Sequence, residues 1–110
     1  ADFDTTNKWI SFTSGQVWYS SVIDLGTTLS HITVNLGTVT GTVKIEISSD
    51  NKGTWQEITE GSRTPITSSD GTGTFIRITE DDSSTAKIEN TADSVGTLTE
   101  PIVSCLMEEA

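Results

Sequence analysis

Apolar residues in this chain recur at every second position over short runs, and clusters of Gly, Ser, Thr, Asn and Asp separate the runs. In HITVNL, Ile32, Val34 and Leu36 share one parity while His31, Thr33 and Asn35 share the other. TVKIEIS follows the same rule, with Val43, Ile45 and Ile47 opposite Lys44 and Glu46. Side chains of a strand alternate between faces, so both segments predict strands with one apolar and one wet face. QVWYSSVIDL, WQEIT, TFIRITE, AKIEN and PIVSCLM read as further strands. Residues 60–73, EGSRTPITSSDGTG, lack apolar periodicity and read as a long loop with a short edge strand at 65–67. DDSS reads as a turn and TADSVG as another loop. The pattern predicts an all-β fold, an antiparallel β-sandwich or jelly roll of six to eight short strands. The lack of a crossover helix argues against a parallel sheet.

The first fifteen residues, ADFDTTNKWISFTSG, are polar apart from Phe3, Trp9, Ile10 and Phe12 and hold no sustained period. They predict an extended N-terminal arm over 1–15, ahead of a single sandwich domain over 16–110. A polar segment of this length buries too little apolar surface to offset an ordering entropy of roughly 1 to 2 kcal/mol per residue. The arm is therefore expected to be mobile in isolation and dispensable for folding if residues 1–14 are deleted. Phe3, Trp9, Ile10 and Phe12 become candidate partner-binding anchors.

Composition sharpens this picture. At 110 residues the chain fits one domain, and 20 Thr and 14 Ser beside many Val and Ile suit pleated structure. Sixteen acidic against six basic side chains give a charge of −10, which repels phosphate backbones and anionic lipid and argues against nucleic-acid and membrane partners. Cys105 is the single cysteine, so no internal disulfide forms, and a reducing compartment at synthesis is expected. No apolar run approaches the roughly 18 residues of a spanning helix, and the N-terminus lacks the basic start and apolar middle of a signal peptide. The two ends read as those of a small complete protein.

The stretch 48-SSDNKGTW-55 is the most distinctive local signal. It lies between two alternating segments, where Asp50 and Asn51 tolerate turn conformations and Gly53 can take positive φ. The Asp50 carboxylate can accept bonds from loop amides while Trp55 covers the hairpin. Ser48, Asp50, Gly53, Thr54 and Trp55 are thus read as a structural turn. A calcium loop needs several alternating carboxylates, and here Asp50 stands alone before Glu57 and Glu60. The cluster 80-EDD-82 reads as a solvated turn tip. His31 and Cys105 cannot furnish a four-ligand zinc site, and His31 on an alternating strand reads as an outward-facing side chain. Cys105 reads as a small buried hydrophobe. No catalytic residue, metal ligand or cofactor site is assigned. Trp18 is expected in a core-edge strand and Trp55 against its hairpin.

The turn resembles the Asp box S-x-D-x-G-x-T-W, with Ser48, Asp50, Thr54 and Trp55 in place and Gly53 one residue late. In the sialidases that carry it, this motif is a structural turn. TVKIEISSDNKGTWQEI followed by GTGTFIRITE is similar to discoidin-like carbohydrate-binding sandwiches, through Val43, Ile45, Ser48, Asp50, Trp55 and 75-FIRI-78. GQVWYSSVIDLG followed by an alternating strand resembles small β-sandwich modules of tailed-phage virions, including capsid decoration proteins. The resemblance covers roughly residues 16–80. The virion likeness implies a non-enzymatic cement or decoration protein, made in the host cytoplasm and bound as a homo-oligomer, a trimer among the options, to the major capsid protein or another virion protein. The discoidin likeness implies instead a carbohydrate-binding module acting through Trp18, Tyr19 or Trp55.

Overall fold

The structure is a computed structural model. It describes residues 3–4, 9–20, 29–66, 74–89, 97–100 and 103–109, with side chains at 4, 9–20, 30–66 and 74–89. The side chains of Phe3 and Cys105 lie outside the described residues, as do the loop tracts 67–73 and 90–96.

The fold is all-β and antiparallel, with no helix among the described residues. Twelve strand segments appear among the described residues where six to eight were expected, because several are only two to four residues long. They are β1 (Phe3–Asp4), β2 (Trp9–Phe12), β3 (Val17–Tyr19), β4 (Leu29–Leu36), β5 (Thr38–Thr40), β6 (Val43–Ser48), β7 (Gln56–Ile58), β8 (Thr64–Pro65), β9 (Phe75–Glu80), β10 (Ala86–Glu89), β11 (Thr97–Glu100) and β12 (Val103–Glu109). Three four-stranded sheets run in the orders β1-β2-β10-β5, β11-β12-β4-β8 and β3-β9-β6-β7. All three add to one core. Ile10, Phe12, Ile88 and Ala86 come from the first sheet, Ile32, Val34 and Leu36 from the second, and Trp18, Ile45, Ile47, Ile58, Ile76 and Ile78 from the third.

Alternation explains which side chains enter. In β4 the buried set is Ile32, Val34 and Leu36, and in β9 it is Ile76, Ile78 and Glu80, the period of 2 holding to the last residue. The pairing Trp18↔Ile78↔Ile45↔Ile58 makes one apolar row across the inner face of the third sheet.

The arm is corrected by the same rule. Trp9–Phe12 is an interior strand of the first sheet, with Ile10 paired to Ile88 and Phe12 to Ala86. Ile10 and Phe12 are fully buried and are not free to anchor a partner. Losing one such side chain costs about 2 to 5 kcal/mol, and domains are stable by only about 5 to 15. Trp9–Phe12 is therefore part of the folding unit, and a deletion of 1–14, which removes it, is expected to unfold the chain. The period-2 spacing of Ile10 and Phe12 was present in the sequence, but two apolar positions are too few to distinguish a strand from a polar tail.

The cluster 80-EDD-82 also differs from a solvated tip. Glu80 is only 3% exposed and its carboxylate ties turns together. Oε1 accepts from the N–H of Gly15 at 2.9 Å, and Oε2 from those of Asp82 and Ser84 at 2.8 and 3.2 Å.

Candidate interaction surface

The outer face of the β3-β9-β6-β7 sheet is built by register. Tyr19 pairs with Arg77, Arg77 with Glu46 and Glu46 with Glu57, so four polar or aromatic side chains form one row across four strands. Phe75 lies two residues before Arg77 on the same side. The inner row of Trp18, Ile78, Ile45 and Ile58 holds this face rigid from behind.

The hairpin between β6 and β7 adds two more side chains. Asp50 Oδ1 accepts the Ser48 hydroxyl and the Thr54 N–H, both at 2.8 Å, and Oδ2 accepts the Thr54 hydroxyl at 2.6 Å. The Ser48 hydroxyl oxygen accepts the Lys52 N–H at 2.9 Å. Asn51 and Lys52 take φ of 58° and 71°, and the Gly53 N–H reaches the Asp50 carbonyl at 3.2 Å, the pattern of a type I′ turn. Gly53 is thus not the residue with positive φ. A Cβ there would sit 3.2 Å from both the Asp50 carbonyl oxygen and Oδ2, tighter than ordinary contact, so a larger residue would push on the turn. The left-handed backbone falls on a lysine, at a cost of about 1 kcal/mol.

This turn delivers Lys52 and Trp55 to Tyr19, Phe75 and Arg77. The Tyr19 and Trp55 rings sit 6.1 Å apart, inclined at 56°. The Arg77 guanidinium stacks 4.1 Å from the Trp55 ring centre while its Nη2 pairs with Glu46 Oε1 at 2.9 Å. The Lys52 ammonium lies 4.5 Å from the Phe75 ring centre and 5.1 Å from that of Tyr19. Tyr19 is 48% exposed, the exposed large hydrophobic among the described residues, and Trp55 and Phe75 are half-buried. Trp, Tyr and Arg are the residues that carry most binding energy in protein interfaces.

The other sequence candidates fall elsewhere. Trp18 is buried at 4% exposure, which corrects its candidacy as a sugar-stacking ring. Trp9 is half-buried with the Lys87 ammonium 4.3 Å from its ring centre, on a different sheet. His31 Nδ1 lies 3.0 Å from the Ser30 hydroxyl. Among the described residues no group of three or more His, Cys, Asp or Glu side chains is placed to hold a metal ion. A groove of about 340 Å³ has Leu36, Ile45 and Ile58 in its floor, but its rim residue Glu60 already accepts the Leu36 N–H at 3.0 Å. Sequence reasoning singled out Tyr19 and Trp55 separately. It missed Lys52, Phe75 and Arg77, whose convergence depends on strand register between segments far apart in the chain. Compared with known proteins, the chain matches no family model, no curated sequence and no solved structure.

Proposed function

We propose that this chain is a non-enzymatic structural protein that docks on a protein surface, of the kind that cements or decorates the shell of a tailed-phage virion. The observation that carries the docking part is the cluster of Tyr19, Trp55, Phe75 and Arg77 on one rigid sheet face. The virion part is supported by the likeness of residues 16–80 to virion sandwich modules. The mechanism is interfacial. The face is prearranged by its hairpin and by the apolar row behind it, so little ordering entropy opposes binding. Repetition of the contact over many copies of a shell multiplies a modest affinity. The test is co-assembly with the shells of a tailed-phage major capsid protein taken from the same genome. The native chain should sediment with the shells, and a Tyr19→Ala/Trp55→Ala variant with an unchanged fold should stay in the supernatant. Equal sedimentation of the variant would remove this face from the function.

The exposure of Tyr19 beside Trp55 also favours a second reading, a carbohydrate-binding module. Two features weigh against it: the 56° inclination denies the pair a flat platform, and Arg77 covers one face of Trp55. Tryptophan fluorescence should show no saturable change with neutral polysaccharides. A saturable change that Trp55→Ala abolishes would exchange the two readings.

A further inference from the structure

Only six cations stand against sixteen acids, yet three of them, Lys44, Lys52 and Arg77, share the outer face of the β3-β9-β6-β7 sheet. Its acids among the described residues are Glu46, engaged by Arg77, the exposed Glu57 and, in the hairpin, Asp50, whose carboxylate is taken up by Ser48 and Thr54. Among the described residues neither Lys44 nor Lys52 has a carboxylate within ion-pair distance. The face therefore gathers half of the cations of a chain of charge −10, two of them without an ion-pair partner among the described residues. At physiological salt, charges farther off than about 8 Å are largely screened, so an approaching group senses the charges nearest to it.

Lys52 is the unusual member. Its backbone holds φ at 71°, a conformation that glycine takes freely and lysine does not. Its ammonium is nonetheless kept over two rings, with donors left toward solvent. A strained residue at an exposed aromatic cluster is a sign of function, since folding alone would be served better by glycine.

We propose that Lys52 is a binding cation, and that this face seats a protein segment carrying a carboxylate. The acid rests on the Lys52 ammonium and an apolar neighbour packs against Tyr19. The inference rests on the reading of this face as a protein-docking surface and names the chemistry of its partner.

Two peptides test it by NMR titration at millimolar concentration: acetyl-Glu-Leu-Glu-amide and its neutral counterpart acetyl-Gln-Leu-Gln-amide. The acidic peptide should shift the Trp55 indole and Gly53 amide signals saturably, and the neutral one severalfold more weakly. In Lys52→Gly the response should vanish while the melting midpoint stays level or rises, because the left-handed strain is relieved. Equal responses to the two peptides, or no response to either, would overturn the proposal. So would a Lys52→Gly midpoint several degrees lower, which would make the lysine a structural member of its hairpin. Shells that lose the Tyr19→Ala/Trp55→Ala variant yet hold Lys52→Gly normally would reject Lys52 and keep the docking surface. Shells indifferent to both changes, with the acidic peptide still titrating, would do the reverse.

Discussion

Two carboxylates, Asp50 and Glu80, each gather the donors of a turn, and they differ in where those donors come from. Asp50 serves its own hairpin, since its partners Ser48 and Thr54 lie within four residues. Glu80 takes one bond from Gly15, 65 residues away, and two from its own turn, so it fastens the β2–β3 connection to the β9–β10 connection. The backbone reinforces this fastening, with the Glu80 N–H bonded to the Gln16 carbonyl at 3.0 Å. The partners also differ in kind. Both oxygens of Glu80 face backbone N–H groups, which can only donate, whereas Oδ2 of Asp50 faces a hydroxyl, which can reverse its role.

The largest expected effect therefore belongs to Glu80→Gln. An amide has one acceptor oxygen, so its NH₂ must oppose either the Gly15 N–H or those of Asp82 and Ser84. The donors meet a carboxylate that is only 3% exposed, so an NH₂ turned against them leaves polar groups opposed where little water enters, and the melting midpoint should drop on the order of 10 °C. Thermal unfolding followed by circular dichroism measures this. A drop no larger than that of an exposed substitution would mean that the two turns hold together without the carboxylate. Asp50→Ala comes next. It frees three donors, but two are hydroxyls, which can rotate to other acceptors, and the two donors of Thr54 lie at an exposed turn where water can replace the lost oxygen; only the Ser48 hydroxyl is buried. A fall of about 5 °C is expected, with no loss of β structure.

The same contrast explains what could be read in the sequence. Asp50 was legible because its partners fall at 48 and 54, inside one window, and side chains that bond locally leave a local signature. Glu80 looked like part of an acidic tip because its decisive partner is Gly15. One signal was available: Glu80 shares the parity of Ile76 and Ile78 in FIRITE, and a carboxylate in phase with a core stripe points inward. The strand class followed from periodicity in β4, β6 and β9, where three apolar positions recur. It failed at β2, where two do. The outer row of Tyr19, Arg77, Glu46 and Glu57 was beyond reach, because register between segments up to 58 residues apart, Tyr19 to Arg77, depends on tertiary packing.

Acid titration is the third probe. The Thr54 hydroxyl and amide, then the Ser48 hydroxyl, hold Asp50 down from its ordinary 3.8 to about 2. A bond from the Asp82 side chain, then the Gly15 and Asp82 amides, hold Glu80 down from 4.5 to about 2. The stability these groups contribute is complete above 4.5 and is lost as pH falls through about 2. Asp82 acts in the opposite sense. Its bond to Glu80, then burial and the Glu80 charge, raise it, so its contribution is complete below its unfolded value of 3.8 and fades as pH rises through the folded one. The net expectation is a midpoint that falls by a few degrees between pH 4.5 and pH 2, with Asp82 blunting the upper part of the fall. Glu80→Gln and Asp50→Ala should each flatten the lower part of this profile, but Glu80→Gln should also lose the blunting above it, since it removes the partner that raises Asp82. An upper part still blunted in Glu80→Gln would show that the Glu80–Asp82 contact carries no part of the pH dependence.

The smallest expected effect is the sharpest test of the distinction between donors. In Asp50→Asn the amide oxygen can keep the Oδ1 position and accept the Ser48 hydroxyl and the Thr54 N–H. The NH₂ then takes the Oδ2 position and donates to the Thr54 hydroxyl oxygen, which reverses from donor to acceptor. Every partner stays satisfied and only the charge assistance is lost, so the midpoint should move by about 2 °C or less at neutral pH. The Trp55 environment, read by its fluorescence, should not change, because the turn that carries the ring keeps its bonds. If Asp50→Asn instead melts as low as Asp50→Ala, the hairpin depends on the charge of Asp50 and not on the geometry of its acceptors. The difference between Asp50 and Glu80 would then be one of reach along the chain alone.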